Sequence, residues 1–524
     1  MIYTSPFPKI EIPITPLHQH LFEHADKWAG KPALIDGPTG RSFTYTELRN
    51  AIAAVAAGLG SRGFKKGDVF AIFSPNIPEY AVAFFGVSTA GGVNTTINPL
   101  YTAEEVKRQL IDSTASFLVT VPQFLPVALE AVQGTSVKEV FVFGEAEGAT
   151  PFSALLSEQE EADVAIDPCK DLVALPYSSG TTGLPKGVML THHNLVANLQ
   201  QTTAVEKIQP DDTLIGILPF YHIYGMTVIM GAALRSGATI VTMPRFDLEQ
   251  FLSLLQQHRV TVAYLVPPII LALAKHPLVD QYDISTLGNV MSGAAPLPGS
   301  VAREASRRND MVVRQGYGLT ETSPVTHTNA RDTQLKIDSV GTALPNTEWR
   351  IIDVDSGLDA AAGDLGEVWI RGPQVMKGYL NNPQATVDMV DNDGWLHTGD
   401  IGKADADGYL YVVDRLKELI KYKGFQVAPA ELEAVIQSHP AVADAAVIPS
   451  PDTEAGEVPK AFVVLREKGT TNADELMTYV ASKVAPHKKI RRLEFIDAIP
   501  KVPSGKILRR ELVAREREHQ LKAK

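Results

Sequence analysis

Apolar positions along this chain fall into two patterns, one spaced for helices and one packed into short continuous runs. Leu48, Ile52, Val55 and Leu59 recur at intervals of three and four, which places them on one helical face. Thr44 and Glu47 stand three apart just before them as a capping box, and Gly60 follows, so the spacing predicts a helix between Thr44 and Gly60. Short apolar runs predict buried strands at 69–73, 117–121, 172–175, 214–218, 239–242, 262–266 and 312–314. Amphipathic stretches lie between several of them, such as 247–258, where Asp247 and Gln250 resemble a second capping box. Alternation of strands with helices is the mark of an α/β architecture.

From about Glu348 the texture changes to short strands at 349–354, 366–370 and 409–413, separated by turns rich in glycine and aspartate. Beyond them a small α+β pattern predicts a helix at 429–437, strands at 445–448 and 461–465, a helix at 473–484 and a strand at 493–496. Pro429 suits the first turn of its helix. The expected organisation is an α/β N-terminal domain of several subdomains over 1–414 and a small α+β C-terminal domain over 415–524. No repeat at a solenoid period is present.

Composition narrows the class without naming it. A length of 524 residues suggests three or four compact units at about 150 residues each. With 45% hydrophobic and 21% charged residues, the chain is neither disordered nor collagen-like. One cysteine, Cys169, excludes an internal disulfide and any zinc site built from several cysteines. The start lacks the basic and then apolar pattern of a signal peptide, and the last residues match neither a prenylation box nor a peroxisomal address. The longest stretch free of charged residues, 213–234, contains Pro219, His222 and three glycines, and reads as strand, loop and helix rather than a membrane span. The expectation is a soluble, cytoplasmic protein, monomeric or weakly dimeric.

Charge is uneven. The net charge is −12, yet residues 415–524 carry 20 Lys and Arg against 15 Asp and Glu. That surplus reads either as an ordinary solvated face or as a basic module for a polyanionic ligand. Overall acidity argues against nucleic acid as the partner.

Four strings carry candidate chemistry. Tyr177-Ser178-Ser179-Gly180-Thr181-Thr182-Gly183-Leu184-Pro185-Lys186-Gly187 follows a predicted strand. Its glycines permit close backbone approach, and its hydroxyls and lysine suit polyphosphate oxygens. It is not a Walker A loop, because Pro185 stands where that motif needs glycine and no hydroxyl residue follows Lys186. Gln315-Gly316-Tyr317-Gly318-Leu319-Thr320-Glu321-Thr322 lacks the third glycine of a dinucleotide fingerprint and alone reads as a strand-ending turn. Gly394-Trp395-Leu396-His397-Thr398-Gly399-Asp400 reads equally as a surface Asx turn or as a turn whose acid accepts both ribose hydroxyls. Pro500-Lys501-Val502-Pro503-Ser504-Gly505-Lys506 presents a lysine on a proline-stiffened loop.

Together and in this order, the four strings resemble the adenylate-forming superfamily of acyl-CoA synthetases, adenylation domains and beetle luciferases, over essentially the whole chain. Within it the run from Arg415 to Glu433, with Met291-Ser292-Gly293-Ala294-Ala295-Pro296, looks most like the 4-coumarate–CoA ligases. The resemblance implies an ATP-dependent acid–CoA ligase that forms an acyl-adenylate and then a thioester, with ATP, Mg²⁺ and CoA taking part and a small carboxylic acid as substrate. It further implies roles by motif position. Lys506 bridges the substrate carboxylate and the α-phosphate, and His222 is a second catalytic group. Ser178, Ser179, Gly180, Thr181, Thr182, Gly183, Lys186, Gln315, Gly316, Tyr317, Gly318, Thr320, Asp400 and Arg415 bind ATP or AMP, with Glu321 on the metal. Tyr224, Gly293, Ala294, Gly316, Pro324 and Val325 shape the acyl pocket. Lys417 is the hinge about which the C-terminal domain turns, and Lys421, Lys423, Gly424 and Gln426 face CoA.

Other readings differ at named features. A fatty acyl-CoA ligase of medium or long chain length differs only in pocket shape. A non-enzymatic ATP- or acyl-adenylate-binding sensor is expected to lack the lysine or the glutamate, and both Lys506 and Glu321 are present.

Overall fold

The computed structural model describes residues 1–157, 164–178, 185–331, 333–422, 425–452, 455–467, 469–502 and 505–523. Among them, two nine-stranded sheets with parallel centres make up the larger part of the fold. In one, Val93–Thr96, Val69–Phe73, Phe117–Thr120 and Glu139–Val142 lie side by side in that order. In the other the order is Val312–Gly318, Asn289–Ser292, Val262–Leu265, Thr213–Gly216, Thr239–Thr242 and Pro32–Asp36. Parallel strands are covered on both faces, which is why several of them, such as Val69–Phe73 and Val262–Leu265, stand out in the sequence as apolar runs.

Helix Pro78–Thr89 packs on strands of both sheets, and every residue in it except Glu79 is buried. It is apolar on all sides, as a helix sandwiched between sheets must be. Helix Tyr45–Ser61 lies beside it and begins with the expected capping box: Glu47 N–H donates to Thr44 Oγ1 at 3.2 Å, and Thr44 N–H donates to Glu47 Oε2 at 2.8 Å. Helix Leu248–Gln257 departs slightly from expectation. Asp247 accepts from the Gln250 N–H at 2.9 Å, without the reciprocal bond of a capping box.

A third, antiparallel sheet comprises Tyr3–Thr4, Glu348–Ile352, Gly366–Arg371, Leu396–Ala404 and Leu410–Arg415. The fourth contains Phe425–Val427, Ile420–Tyr422, Gly456–Leu465 and Val442–Asp452, with Arg492–Phe495 added beside Gly456–Leu465. Along Val442–Asp452, Ala445 and Val447 join one apolar cluster while Ala446 and Ile448 join another, the two-residue period of a strand covered on both faces. This strand runs past the predicted 445–448 through Pro449 and Pro451, which is tolerable because it forms an edge of its sheet.

Three further differences bear on function. The strand predicted at 312–314 continues to Gly318, because Val325–Thr328 folds back to pair Gly316 with Thr328 and Tyr317 with His327. The glycine string is therefore strand, not turn. Asp400 likewise sits within strand Leu396–Ala404 and is buried, so the surface Asx-turn reading is corrected. The helix expected in 213–234 opens as a buried π-helix, Tyr224–Gly231, before the α-turn Ala232–Arg235. No helix among the described residues is long and apolar enough to cross a membrane.

Candidate active site

Antiparallel register places Arg415 directly opposite Asp400 on the neighbouring strand. The Arg415 Nε lies 3.1 Å from Asp400 Oδ1, and the Tyr317 hydroxyl donates to Oδ2 at 2.6 Å. Burial pushes the Asp400 carboxyl above its ordinary range, opposed by Arg415, by the Tyr317 bond and by the charge of Lys506. Arg415 remains 31% exposed while Asp400 is sealed, so this pair presents an edge to a ligand.

Lys506 reaches the same place from the far end of the chain. Val502 N–H donates to Lys506 O at 3.0 Å and Gly505 N–H to Val502 O at 2.8 Å, closing a tight loop. Gly505 has φ +82°, and a Cβ there would lie 2.8 Å from Pro268 Cδ, so only glycine lets the loop sit against the helix Pro267–Lys275. Burial and the neighbouring Arg415 both lower the Lys506 pKa, while Glu418, Asp400 and Glu321 counter them. His222 is held down to about 4, chiefly by desolvation and then by Lys506, so its ring is neutral at pH 7. Its Nδ1 accepts from the Tyr224 N–H at 3.2 Å, which leaves the ring proton on Nε2.

Glu321, in the 3₁₀ turn Thr320–Thr322 with half-buried Thr320, is buried and accepts from the Tyr379 hydroxyl at 2.7 Å through Oε1. The ring of Tyr379 also receives Lys186, whose Nζ lies 4.6 Å from the ring centroid. Lys186 pairs with Ser178 across two antiparallel strands. Tyr379 thus joins the lysine of the string expected to take phosphate to the acid expected at the metal. Sequence reading missed it, because a two-residue strand at Gly378–Tyr379 carries no periodic signal. Glu418 was missed as well; it sits beside the expected hinge and acts on Lys506, Asp400 and Arg415.

The acyl-pocket candidates also converge. A Cβ on Gly293 would lie 2.8 Å from the Tyr224 ring, so the glycine makes room for that ring. The Tyr224 hydroxyl donates to Met291 O at 3.4 Å. A Cβ on Gly316 would come within 3.4 Å of Met291 Sδ, and one on Gly318 within 2.0 Å of Pro324 O. Val325 is fixed by two hydrogen bonds with Asn198, and exposed Ala294 adopts φ +67°. Gln315 points elsewhere, donating to Ile337 O at 2.7 Å.

The remaining candidates are placed in part. Lys417 is exposed, in a turn closed by Glu418 N–H donating to Arg415 O at 2.9 Å. Lys421 is exposed on Ile420–Tyr422, in register with Gln426, whose side chain is not described. Ser179, Gly180, Thr181, Thr182, Gly183, Lys423 and Gly424 lie outside the described residues.

Comparison with known proteins decides the family. The family model described as AMP-binding enzyme matches residues 21–380, and that of the AMP-binding enzyme C-terminal domain matches 431–506. This chain belongs to the AMP-binding enzyme family. Lys506 is the last residue of the second match, whereas Asp400, Arg415 and Lys417 fall between the two. Among curated relatives in the family, 4-coumarate–CoA ligase 1 of Solanum tuberosum is 46% identical over 528 residues, covering 98% of this chain and 96% of its own. 4-coumarate–CoA ligase 2 of Petroselinum crispum is 44% identical, covering 98% and 97%. Among solved structures, ATP-bound MatB from Rhodopseudomonas palustris superposes with a TM-score of 0.86 at 31% identity, over 95% of this chain and 98% of that one. The anthranilate CoA ligase AuaEII with anthranoyl-AMP gives 0.89 at 26% identity, over 97% and 99%.

Proposed function

We propose that this AMP-binding enzyme is an ATP-dependent acid–CoA ligase acting on 4-coumarate or a related hydroxycinnamate. In the first half-reaction a carboxylate oxygen attacks the α-phosphorus and pyrophosphate leaves. In the second, the CoA thiolate attacks the acyl carbon of the adenylate and AMP leaves. The observation that carries this reading is the placement of Lys506 within electrostatic reach of Arg415, Asp400, Glu321 and His222, groups drawn from positions 222 to 506 of the chain.

Attack of one anion on another requires preorganised cations at the point where charge concentrates. Lys506 supplies one at the reacting carboxylate and α-phosphate, and Arg415 a second beside the ribose. Asp400, held by Tyr317 and Arg415, accepts from the ribose hydroxyls. His222 adds no positive charge at neutral pH; its Nε2–H is free to donate to a substrate oxygen. Lys186 and the string 178–183, with Thr320, take the phosphates, and Gly316, Tyr317 and Gly318 lie against adenine. The buried Glu321 carboxylate fits a hard cation that takes its remaining oxygens from phosphates and water, and Mg²⁺ held there would neutralise phosphate charge.

Residues 1–414 and 415–524 act as two bodies hinged at Lys417. The arrangement with Lys506 in the site serves adenylation, and rotation brings Lys421, Lys423, Gly424 and Gln426 to the site for CoA. The enzyme works in the cytoplasm as a monomer or weak dimer. A panel of acids with ATP, Mg²⁺ and CoA, followed by pyrophosphate release and thioester formation, tests the assignment. Turnover of 4-coumarate well above octanoate is expected. Equal specificity constants would remove the hydroxycinnamate assignment, and bound ATP with no turnover of any acid would remove the ligase.

A further inference from the structure

One sealed ion pair next to the acyl pocket has no part in the two half-reactions. Glu206 is the last residue of helix His192–Glu206, and Arg314 stands in strand Val312–Gly318 just before Gln315 and Gly316. Their side chains are each 3% exposed. Arg314 donates through NH1 to Glu206 Oε1 at 3.1 Å and through NH2 to Oε2 at 2.9 Å, and NH1 also donates to Asn329 O at 2.7 Å. Two hydroxyls aim at the same carboxylate: Thr328 donates to Oε1 at 3.0 Å and Tyr264 to Oε2 at 3.4 Å. Thr328 is the register partner of Gly316. The Tyr264 ring meets the Tyr224 ring edge-on, with centroids 6.2 Å apart at 76°.

Burying two charges is costly, and a well-packed apolar pair is commonly as stable or more so. A sealed pair is therefore poorly explained by stability and better explained by what it fixes. Here it fixes a helix end, the strand leading into the glycine string, its partner strand and one of two tyrosines that meet edge-on. The charges of Glu206 and Arg314 also reach Tyr224, where burial and Glu206 both keep the phenol protonated. Among the described residues the Tyr224 hydroxyl has one bond, a long one to Met291 O, so a ligand hydroxyl placed there would be a better partner.

We propose that Glu206 and Arg314 are positioning residues that hold Tyr264, Tyr224 and Thr328 as the polar end of the acyl pocket. They thereby set a preference for an acid with a hydroxyl at the end remote from its carboxylate over the same acid without one. This rests on the ligase reading above. A site built to pair a hydroxyl discriminates against the analogue lacking it, because its own polar group is then left poorly bonded.

The test compares 4-coumarate with cinnamate, which lacks the hydroxyl, on the full chain and on Glu206→Gln. The variant is expected to raise the KM for 4-coumarate about tenfold, the loss of roughly one good hydrogen bond. The KM for cinnamate, the KM for ATP and kcat should stay within about twofold. Glu206→Met combined with Arg314→Met, which leaves neither charge unpaired, should collapse the same preference. Equal losses for both acids, or an unchanged preference in a cooperatively melting variant, would overturn the proposal. Should Glu206→Gln fail to fold, the double variant and Thr328→Val, which keeps the ion pair and removes one donor, are read by the same ratio. An unaltered chain that makes neither thioester would instead overturn the ligase reading, and this proposal with it.

Discussion

Two acid–base pairs, Asp400–Arg415 and Glu206–Arg314, look alike in chemistry and differ in construction. Asp400 and Arg415 face each other across adjacent strands, and the arginine is 31% exposed beside Lys506. Glu206 and Arg314 come from a helix end and a strand 108 residues apart, and both are 3% exposed. The open pair retains hydrogen-bonding capacity for a ligand. In the closed pair both carboxylate oxygens and the two terminal guanidinium nitrogens are engaged by each other and by Thr328, Tyr264 and Asn329, while Arg314 Nε is buried without a hydrogen-bond partner among the described residues, so its influence passes through the groups it holds.

The contrast can be broken most strongly at the closed pair. Glu206→Ala should destabilise the protein by about 3–5 kcal/mol, because it leaves the Arg314 guanidinium buried without a counter-charge. Denaturant titration measures this, and a loss below about 1 kcal/mol would show that water reaches Arg314. Next in size, Lys506→Ala should slow adenylation by about 10²–10³, or roughly 3–4 kcal/mol of activation free energy, without lowering the melting temperature. Thioester formation from supplied acyl-adenylate should survive; equal loss of both half-reactions would contradict separate orientations of the C-terminal domain.

At the open pair the effect should be smaller and of another kind. Asp400→Asn should raise the KM for ATP about tenfold and leave stability within about 1 kcal/mol, since the partly exposed Arg415 can turn to water. A stability loss matching that of Glu206→Ala would erase the distinction between the pairs. Smallest is the response to pH at His222. Its pKa is lowered from the ordinary 6.5 to about 4 in the folded protein, so the ring is neutral in both states above 6.5. Between these values only the unfolded chain takes up the proton, so this histidine's contribution to stability is present above about pH 6.5 and is lost as pH falls through 4. The acid limb of kcat/KM governed by His222 should therefore fall near pH 4, and a limb near 6.5 that vanishes in His222→Asn would refute the assignment.

Much of the scaffold is legible in the sequence. The buried strands at Val69–Phe73 and Thr239–Thr242, and the helix Pro429–Gln437, occur at their predicted positions, because apolar runs, periodicity and a first-turn proline are local signals. The extension of Val312–Gly318 through two glycines was not readable, because it depends on pairing with Val325–Thr328. Of the site, the motif lysine, acids and glycines were named from their strings. Tyr379, Glu206 and Arg314 were not, since none belongs to a string and each matters through a partner distant in sequence; Glu418 lies within the Arg415–Glu433 run, but its effect on Lys506 and Asp400 depends on the fold.

The sequence by itself determined several of the helices and parallel strands, the family motifs and the residue types available for polyphosphate chemistry, all through short-range pattern. Only the tertiary structure decided that Lys506 meets Asp400 and Arg415, that Tyr379 joins Lys186 to Glu321, and that Glu206 lies sealed against Arg314. The physical reason is that charge, burial and hydrogen-bond geometry depend on which surfaces the fold presses together, and those distances are not written in local periodicity.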